Sequence, residues 1–348
     1  MNSPLVSVLI PCLNEERFIG KVLQNILDQS YPTERLEVFV IDGGSRDRTR
    51  TIVETWSKAH PQIALLDNPD RYVPHALNRG IRAATGDIIF IMGAHASYPR
   101  DYIRKLVQGL KATSAQNVGG VCLTEPRSET PKARAIAAVL RHPLGVGNSL
   151  FRIGVEKTTE VDTVPFGCYP RAVFDTYGLF DERLLRNQDI EFNKRIYNSG
   201  GKILLLPEVQ CTYYARDTFQ GLWKNNFGNG LWVVRTAFLT RQLSSLSLRH
   251  FVPMAFVLYL LSAIILSLFG WWIAWLPFLL YFILTGIAGL RISIRERNFA
   301  ILPFSRIAFG VLHISYGVGS LWGLLSILKF HLYHSLHKFR SKNTPPPH

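Results

Sequence analysis

The chain has 348 residues, and 39 Lys and Arg residues against 25 Asp and Glu give it a formal net charge of +14. A chain of this length is expected to form two domains rather than one. The positive charge alone would suit a nucleic-acid binder. The basic residues, however, flank long apolar stretches after about position 250, which indicates a membrane surface and argues against nucleic acid as a partner.

Strands and helices alternate through the first hundred residues. Apolar, β-branched runs predict strands at 6–10, 36–41, 63–66 and 88–92, and helical spacing predicts helices at 15–27, 48–58 and 74–84. This alternation predicts parallel βαβ units and therefore an α/β fold with a doubly wound, mostly parallel sheet. Ligands of such sheets bind beyond the carboxyl ends of the strands.

Polar loops follow each of these four strands, and they read PCLNEE, DGGSRD, DNPDR and GAHA. Asp42 follows an apolar strand and could accept hydrogen bonds from a nucleobase or ribose, or it could form an Asx-turn or cap the next helix. Asn14 and Glu15 have the same ambiguity, because Asn is a good N-cap and Glu suits a first helical turn. Arg71 could contact a diphosphate or be solvated. No dinucleotide-binding glycine motif or P-loop is present.

Asp189 and Glu191 stand at the start of a predicted helix that passes through Phe192 and Ile196 and stops at two glycines. An acid at a helix N-terminus stays ionised and suits a general base when it faces a cleft. A solvated N-terminal acid is the alternative interpretation.

The remainder of the chain is predicted to meet the membrane. Aromatic and basic residues alternate through FQGLWKNNFGNGLWVVRTAFL, which is typical of an interfacial helix, although a core helix would show a similar pattern. Segments 251–269 and 271–290 contain no charged residue and are predicted to span, and 307–330 either spans or is re-entrant. The predicted organisation is a catalytic domain at 1–215, interface helices at 216–250, a membrane region at 251–330 and a basic tail at 331–348.

The start of the chain, MNSPLVSVLIP, lacks the features of a signal peptide, so the first domain is expected in the cytoplasm of a bacterial-type cell. The four cysteines show neither CxxC nor zinc spacing and are expected to be reduced and structural.

Together these segments resemble a family 2 glycosyltransferase of the GT-A fold, in particular the membrane-attached branch of succinoglycan-type exopolysaccharide glucosyltransferases. The resemblance covers nearly the whole chain and rests on SVLIPCLNEERFIGKVLQNILDQSYP, EVFVIDGGSRDRT, NPDRYVPHALNRGIRAATGDIIFIMGAHASYP, GLFDERLLRNQDIEFNKRI, SLRHFVP and VLHISYGVGSLWG. It implies transfer of a sugar from a nucleotide donor, UDP-linked, to an acceptor hydroxyl with inversion at the anomeric carbon.

The resemblance also assigns roles by position. It places Pro11, Asn14, Glu15, Asp42, Arg71 and Gly93 at the nucleotide-sugar. Asp189 matches the acid that deprotonates the acceptor hydroxyl. A divalent cation, Mn²⁺ or Mg²⁺, is expected to neutralise the leaving diphosphate.

Two departures from the family pattern stand out. The family carries Asp-x-Asp at the end of the fourth strand, and the resembling branch often has Asp-Ala-His, whereas this chain reads Gly93-Ala94-His95. The first acid is missing, and His95 stands at the metal-contacting position. Processive relatives carry Gln-x-x-Arg-Trp on an interface helix, and QGLWK replaces it here.

The sequence therefore predicts a membrane-attached, inverting, non-processive hexosyltransferase that acts on a lipid-linked or polysaccharide acceptor. The alternative is a non-catalytic member, a nucleotide-sugar-binding or scaffold protein of a polysaccharide assembly complex. The glycine at position 93 motivates this alternative, and Asp189 counts against it.

Overall fold

The computed structural model describes residues 3–241 and 248–342. The chain divides into two compact units, Met1–Asp217 and Thr218–His348. Segment 242–247 of the predicted interface helices and segment 343–348 of the predicted basic tail lie outside the described residues.

Nine strands form one mixed sheet in the described part of the first unit. They are β1 (Val6–Cys12), β2 (Leu36–Asp42), β3 (Ile63–Asp67), β4 (Ile88–Ile91), β5 (Ala96–Ser97), β6 (Asn117–Glu125), β7 (Thr159–Glu160), β8 (Cys168–Pro170) and β9 (Ile203–Tyr214). The helices of this unit are α1 (Ile19–Leu27), α2 (Thr49–Ala59), α3 (Val73–Ala83), α4 (Tyr102–Thr113), α5 (Pro131–Val139), α6 (Pro143–Val146), α7 (Leu150–Ile153), α8 (Ala172–Tyr177) and α9 (Gln188–Asn198).

The strand order is β3-β2-β1-β4-β8-β6-β9-β5, with β7 added beside β9. The first four strands are parallel to one another, as the alternation of elements predicts. Their carboxyl ends therefore lie at one edge of the sheet, where Cys12, Asp42 and Asp67 stand side by side in register. The short strand β8 is antiparallel to both β4 and β6, which makes the sheet mixed.

Helices cover both faces of the sheet, because alternate side chains of each strand point to opposite sides. On β1, Val6, Val8 and Ile10 join the core cluster beneath α1 and α4. Leu9 faces the other way and joins the cluster that includes residues of α3 and α9. All of these side chains are fully buried, as expected for a central parallel strand.

The four cysteines are all buried and free of disulfide bonds. This agrees with the prediction from their spacing.

The second unit contains α10 (Phe219–Thr240), α11 (Val252–Leu268), α12 (Leu276–Arg295) and α13 (Ile301–Lys342). Glycines allow α10 and α13 to pack closely: a Cβ on Gly230 would lie 2.0 Å from the Tyr316 carbonyl oxygen, and one on Gly319 would lie 2.1 Å from that of Phe227. Small residues at such crossings let helix backbones approach one another. Among the described residues, Trp272–Arg295 and Ile301–Leu328 are long and apolar enough to cross a membrane, and Val252–Leu268 is apolar but shorter.

Candidate active site

The loops after β1 and β2 are joined by reciprocal hydrogen bonds. The Asn14 amide donates to Ser45 Oγ at 2.8 Å, and Asn14 Oδ1 accepts from the Arg46 amide at 2.8 Å. Asn14 has a positive φ of 57°, and α1 begins only at Ile19, so Asn14 does not cap that helix. Asn14 therefore joins the loop after β1 to the loop after β2, a role that the helix-capping interpretation did not include. Pro11 lies one residue before the end of β1, opposite Ile41.

Asp42 is buried and stabilises the turn after β2. Its carboxylate accepts hydrogen bonds from the backbone amide and hydroxyl of Ser45, at 3.1 and 2.5 Å, and lies 3.5 Å from Nη1 of Arg50. This is the turn-forming role that the sequence left open beside base recognition.

Asp67 was missed by the sequence reasoning, although it ends β3 in register with Asp42. Arg50 Nη1 lies 2.5 Å from its Oδ1, yet the Asp67 side chain keeps 74% of its surface exposed. It is therefore a solvent-accessible carboxylate at the sheet edge where ligands of this fold class bind. The sequence signal for it was a carboxylate directly after an apolar strand.

Arg71 reaches this edge through its backbone. It has a positive φ of 68° and is exposed, and a Cβ on Gly43 would lie 3.1 Å from the Arg71 carbonyl oxygen. The loop after β3 therefore lies against the turn after β2.

The end of β4 is shaped by aromatic rings. The Gly93 amide donates to the Tyr98 hydroxyl at 2.7 Å, and a Cβ on Gly93 would lie only 2.6 Å from Cε1 of Phe166. A side chain at position 93 would therefore require Phe166 to move. The space that the first acid of the metal motif would need is filled by this ring.

His95 pairs with Glu15 across the edge of the sheet. Its Nδ1 lies 3.3 Å from Glu15 Oε1, and the two side chains keep 38% and 20% of their surface exposed. The pair offers one imidazole nitrogen and one carboxylate. No group of three or more His, Cys, Asp or Glu side chains that could hold a metal ion occurs among the described residues.

Asp189 lies in the first turn of α9, directly after Gln188, and its carboxyl is accessible to solvent. Asn187, with a φ of 61°, turns the chain into the helix. Asp189 Oδ1 accepts from the Ile190 amide at 2.9 Å, and the surrounding protein raises the pKa of Asp189 through desolvation. An accessible carboxylate with a raised pKa is a stronger base than a solvated aspartate.

A buried polar network supports this turn of α9. Asn193, one helical turn after Asp189, accepts from Asn117 Nδ2 at 2.9 Å and from the Tyr169 hydroxyl at 3.3 Å. It also donates to Thr163 Oγ1 at 2.9 Å. Burial and, to a smaller extent, the negative charge of Asp189 raise the pKa of Tyr169. Glu191, the other acid of this turn, is held by Arg195 at 2.6 Å instead.

The structure therefore brings the loops bearing Asn14, Glu15 and Asp42 together with His95. No hydrogen bond or ion pair within the described residues joins Asp189 to this group. Sequence reasoning also passed over Tyr213, near the end of β9, and two arginines that contact it, Arg152 and Arg216.

Comparison with known proteins agrees with this architecture. Residues 7–178 match the model of glycosyl transferase family 2. The chain is 29% identical over 319 residues, 90% of its length and 95% of the relative's, to the dolichyl N-acetyl-alpha-D-glucosaminyl phosphate 3-beta-D-2,3-diacetamido-2,3-dideoxy-beta-D-glucuronosyltransferase of Methanococcus voltae. It is 28% identical over 314 residues to the succinoglycan biosynthesis protein ExoA of Rhizobium meliloti, covering 90% of this chain and 92% of that one.

Among solved structures, the mannosyltransferase PcManGT from Pyrobaculum calidifontis, in complex with GDP-Man and Mn²⁺, superposes with a TM-score of 0.63 at 22% identity, covering 92% of this chain and 88% of that one. At 22% identity this structural similarity shows the fold alone, and it confirms the predicted GT-A architecture. The family-model match, the two long relatives and the GT-A sheet lead to one conclusion: the chain is a glycosyltransferase, and residues 7–178 form a domain of glycosyl transferase family 2.

Proposed function

We propose that the chain is an inverting, non-processive hexosyltransferase that moves a sugar from a nucleotide-sugar donor, UDP-linked, to a hydroxyl of a lipid-linked acceptor in polysaccharide or glycolipid synthesis. The observation that carries the proposal is the accessible carboxyl of Asp189, whose pKa is raised by its surroundings. The names of two relatives support a lipid-linked or polysaccharide acceptor. One relative acts on a dolichyl phosphate sugar, and the other belongs to succinoglycan biosynthesis.

In this mechanism Asp189 accepts the proton of the acceptor hydroxyl as that oxygen bonds to the anomeric carbon. The bond between the anomeric carbon and the diphosphate oxygen breaks, and its electron pair leaves with the nucleoside diphosphate. Attack from the face opposite the leaving group inverts the anomeric centre. Proton removal by a positioned carboxylate typically contributes about 10²- to 10⁴-fold to the rate.

The nucleotide is assigned to the sheet edge formed by the loops after β1, β2 and β3. Asn14 and Asp42 act there chiefly by holding the loops in shape, since their polar atoms bond to Ser45 and Arg46. The exposed carboxylate of Asp67 is the acceptor that remains open to a base or ribose. Pro11, Arg71 and Gly93 line the same edge.

Glu15 and His95 are the residues that would hold a divalent cation, and they suit Mn²⁺ because imidazole is a softer ligand than carboxylate. Two protein ligands are few, so the donor diphosphate must supply others. The cation would neutralise charge on the leaving diphosphate. The comparison structure of the mannosyltransferase names Mn²⁺ beside GDP-Man, which supports this assignment.

Replacing His95 by Ala is expected to remove most of the gain in nucleoside diphosphate affinity that Mn²⁺ produces. The expected loss is about tenfold or more, since disturbing even an outer partner of a metal ligand costs about 10- to 100-fold in metal affinity. Calorimetric titration of UDP, with Mn²⁺ and with EDTA, measures it. His60→Ala, which removes a histidine stacked on Trp56 of α2, is the matched control. An unchanged Mn²⁺ effect in His95→Ala would mean that the imidazole only shapes the strand end.

We further propose that the second unit attaches the enzyme to a bacterial-type inner or plasma membrane. Large apolar side chains are exposed along α11 and α12, among them Leu261, Ile264, Ile265, Leu279, Leu280 and Ile283. Soluble monomers rarely expose apolar surface of this extent. Arg291, Arg295 and Arg297 follow the apolar part of α12, and by the positive-inside rule they support a cytoplasmic position for that end and for the catalytic domain.

A transfer assay tests the proposal. The full chain, purified in detergent, is incubated with UDP-, GDP- and dTDP-sugars and a polyprenyl phosphate sugar, and nucleoside diphosphate release is measured with and without that acceptor. Release that requires the acceptor is expected for one donor class. If every donor binds but no nucleoside diphosphate is released, the alternative is favoured, a non-catalytic nucleotide-sugar-binding or scaffold member. The reason to test this alternative is the Phe166 ring, which occupies the place of the missing acid.

A further inference from the structure

Tyr213 is the centre of a cationic cluster beside His95. It lies on β9 opposite Ala96, the residue after His95. The ring of His95 lies 5.9 Å from the Tyr213 ring, the guanidinium carbon of Arg152 lies 5.7 Å from that ring, and Arg216 Nη1 lies 3.4 Å from the Tyr213 hydroxyl. These four side chains come from three separate segments of the chain, since Arg216 follows Tyr213 by three residues.

Several other arginines of this unit are paired with carboxylates. Arg141 lies 3.1 Å from Glu125, and Arg195 lies 2.6 Å from Glu191. By contrast, Arg152 bonds to the neutral hydroxyl of Thr124 and stacks on rings, and Arg216 bonds to the Tyr213 hydroxyl. Within the described part of the chain, neither Arg152 nor Arg216 forms an ion pair. Like charges gathered without counter-charges repel one another, and a bound anion relieves that repulsion.

We propose that Arg152 and Arg216 bind the diphosphate of the nucleotide-sugar donor. Guanidinium groups match phosphate oxygens with paired, charge-assisted hydrogen bonds. The cluster lies beside His95, at the proposed cation position. When the anomeric carbon–oxygen bond breaks, its electron pair goes to the diphosphate oxygen, and the arginines stabilise that charge. This inference rests on the proposed function.

The arginines would also explain how the site works without an acid at position 93. Phe166 fills the space that such an acid would need, so the described residues would offer a cation fewer protein ligands. Fixed positive charge on the two arginines neutralises the diphosphate directly and needs no further ligand. The diphosphate is then shared between the arginines on one side and His95 with Glu15 on the other.

Binding measurements on Arg152→Gln and Arg216→Gln test this assignment. Calorimetry with the full chain in detergent compares UDP, GDP and dTDP with uridine, guanosine and thymidine. Each variant is expected to bind the nucleoside diphosphate that the wild type accepts about 10- to 100-fold more weakly, the value of one charge-assisted hydrogen bond. Nucleoside affinity is expected to stay unchanged. Arg104→Gln, which removes an exposed arginine from α4, is the matched control.

Arg216→Lys separates charge from folding. It keeps the positive charge, so it is expected to retain more diphosphate affinity than Arg216→Gln while melting at the same temperature. Wild-type affinity for the nucleoside diphosphate in both Gln variants would overturn the proposal. A second result would also overturn it: variants that keep wild-type nucleoside diphosphate affinity but no longer bind phosphatidylcholine vesicles containing polyprenyl phosphate. That combination would assign the cluster to the acceptor. Failure of the proposed function is distinct, since the wild type itself would then bind none of the three nucleotides or would bind a donor without acceptor-dependent release.

Discussion

Replacing Asp189 by Asn is expected to lower sugar transfer by about 10²- to 10⁴-fold, the usual contribution of a general base. The amide has nearly the same shape as the carboxylate but cannot accept the proton of the acceptor hydroxyl. Nucleoside diphosphate affinity is expected to stay at the wild-type level, because no hydrogen bond or ion pair in the described residues connects Asp189 with the nucleotide loops. Initial rates of acceptor-dependent nucleoside diphosphate release measure the first effect, and calorimetric titration measures the second.

The matched control is Asp175→Asn, which makes the same chemical change at an exposed position of α8. It is expected to transfer sugar at the wild-type rate. Unchanged turnover in Asp189→Asn would show that another group removes the proton. A parallel fall in nucleotide affinity and rate would instead show that Asp189 shapes the donor site.

Replacing Asn193 by Ala is expected to destabilise the catalytic unit by about 3 kcal/mol, because it leaves buried polar groups without partners at about 1–3 kcal/mol each. Asn193 is fully buried and bonds to Asn117, Tyr169 and Thr163. In a unit of this size, 3 kcal/mol corresponds to a fall in melting temperature of about 6–12 °C. Thermal unfolding of the full chain followed by circular dichroism measures it.

The same variant is expected to reduce transfer more than nucleotide binding, since Asn193 anchors the helical turn that presents Asp189. Asn198→Ala, at the exposed end of α9, provides the control and is expected to melt at the wild-type temperature. A wild-type melting temperature for Asn193→Ala would mean that the buried network contributes no net stability. A wild-type rate of sugar transfer in folded Asn193→Ala would show that the buried network does not position Asp189.

Local pattern was sufficient to predict the sheet and the edge where the site lies. The β-branched runs of the first strands and the helical spacing between them define parallel βαβ units, and parallel strands place Asp42 and Asp67 at one edge. What these acids do at that edge depends on partners that the pattern does not reveal. Asp42 bonds to Ser45 within its own turn, whereas Asp67 stays exposed, and both carboxylates follow similar apolar strands.

The contacts that the sequence could not predict are those between distant segments. Phe166, in the loop before β8, packs against Gly93, and the sequence around neither residue indicates this contact. Tyr213 lies close to Arg152 and His95 because β9 pairs with both β5 and β6. The residue pattern of a single strand does not predict this pairing. Helix ends were also displaced, since α1 begins at Ile19 rather than at Glu15. There the hydrogen bonds of Asn14 and Glu15 to Ser45 and Thr49 outweigh local helix propensity.

The anomeric configuration of the product tests the central claim most directly. Nuclear magnetic resonance of the transferred sugar, compared with that of the donor, reports whether the anomeric centre inverts. Single displacement assisted by one base, Asp189, predicts a product of opposite anomeric configuration from the donor. Retention of configuration would contradict this account, because it requires either a covalent intermediate or attack from the same face.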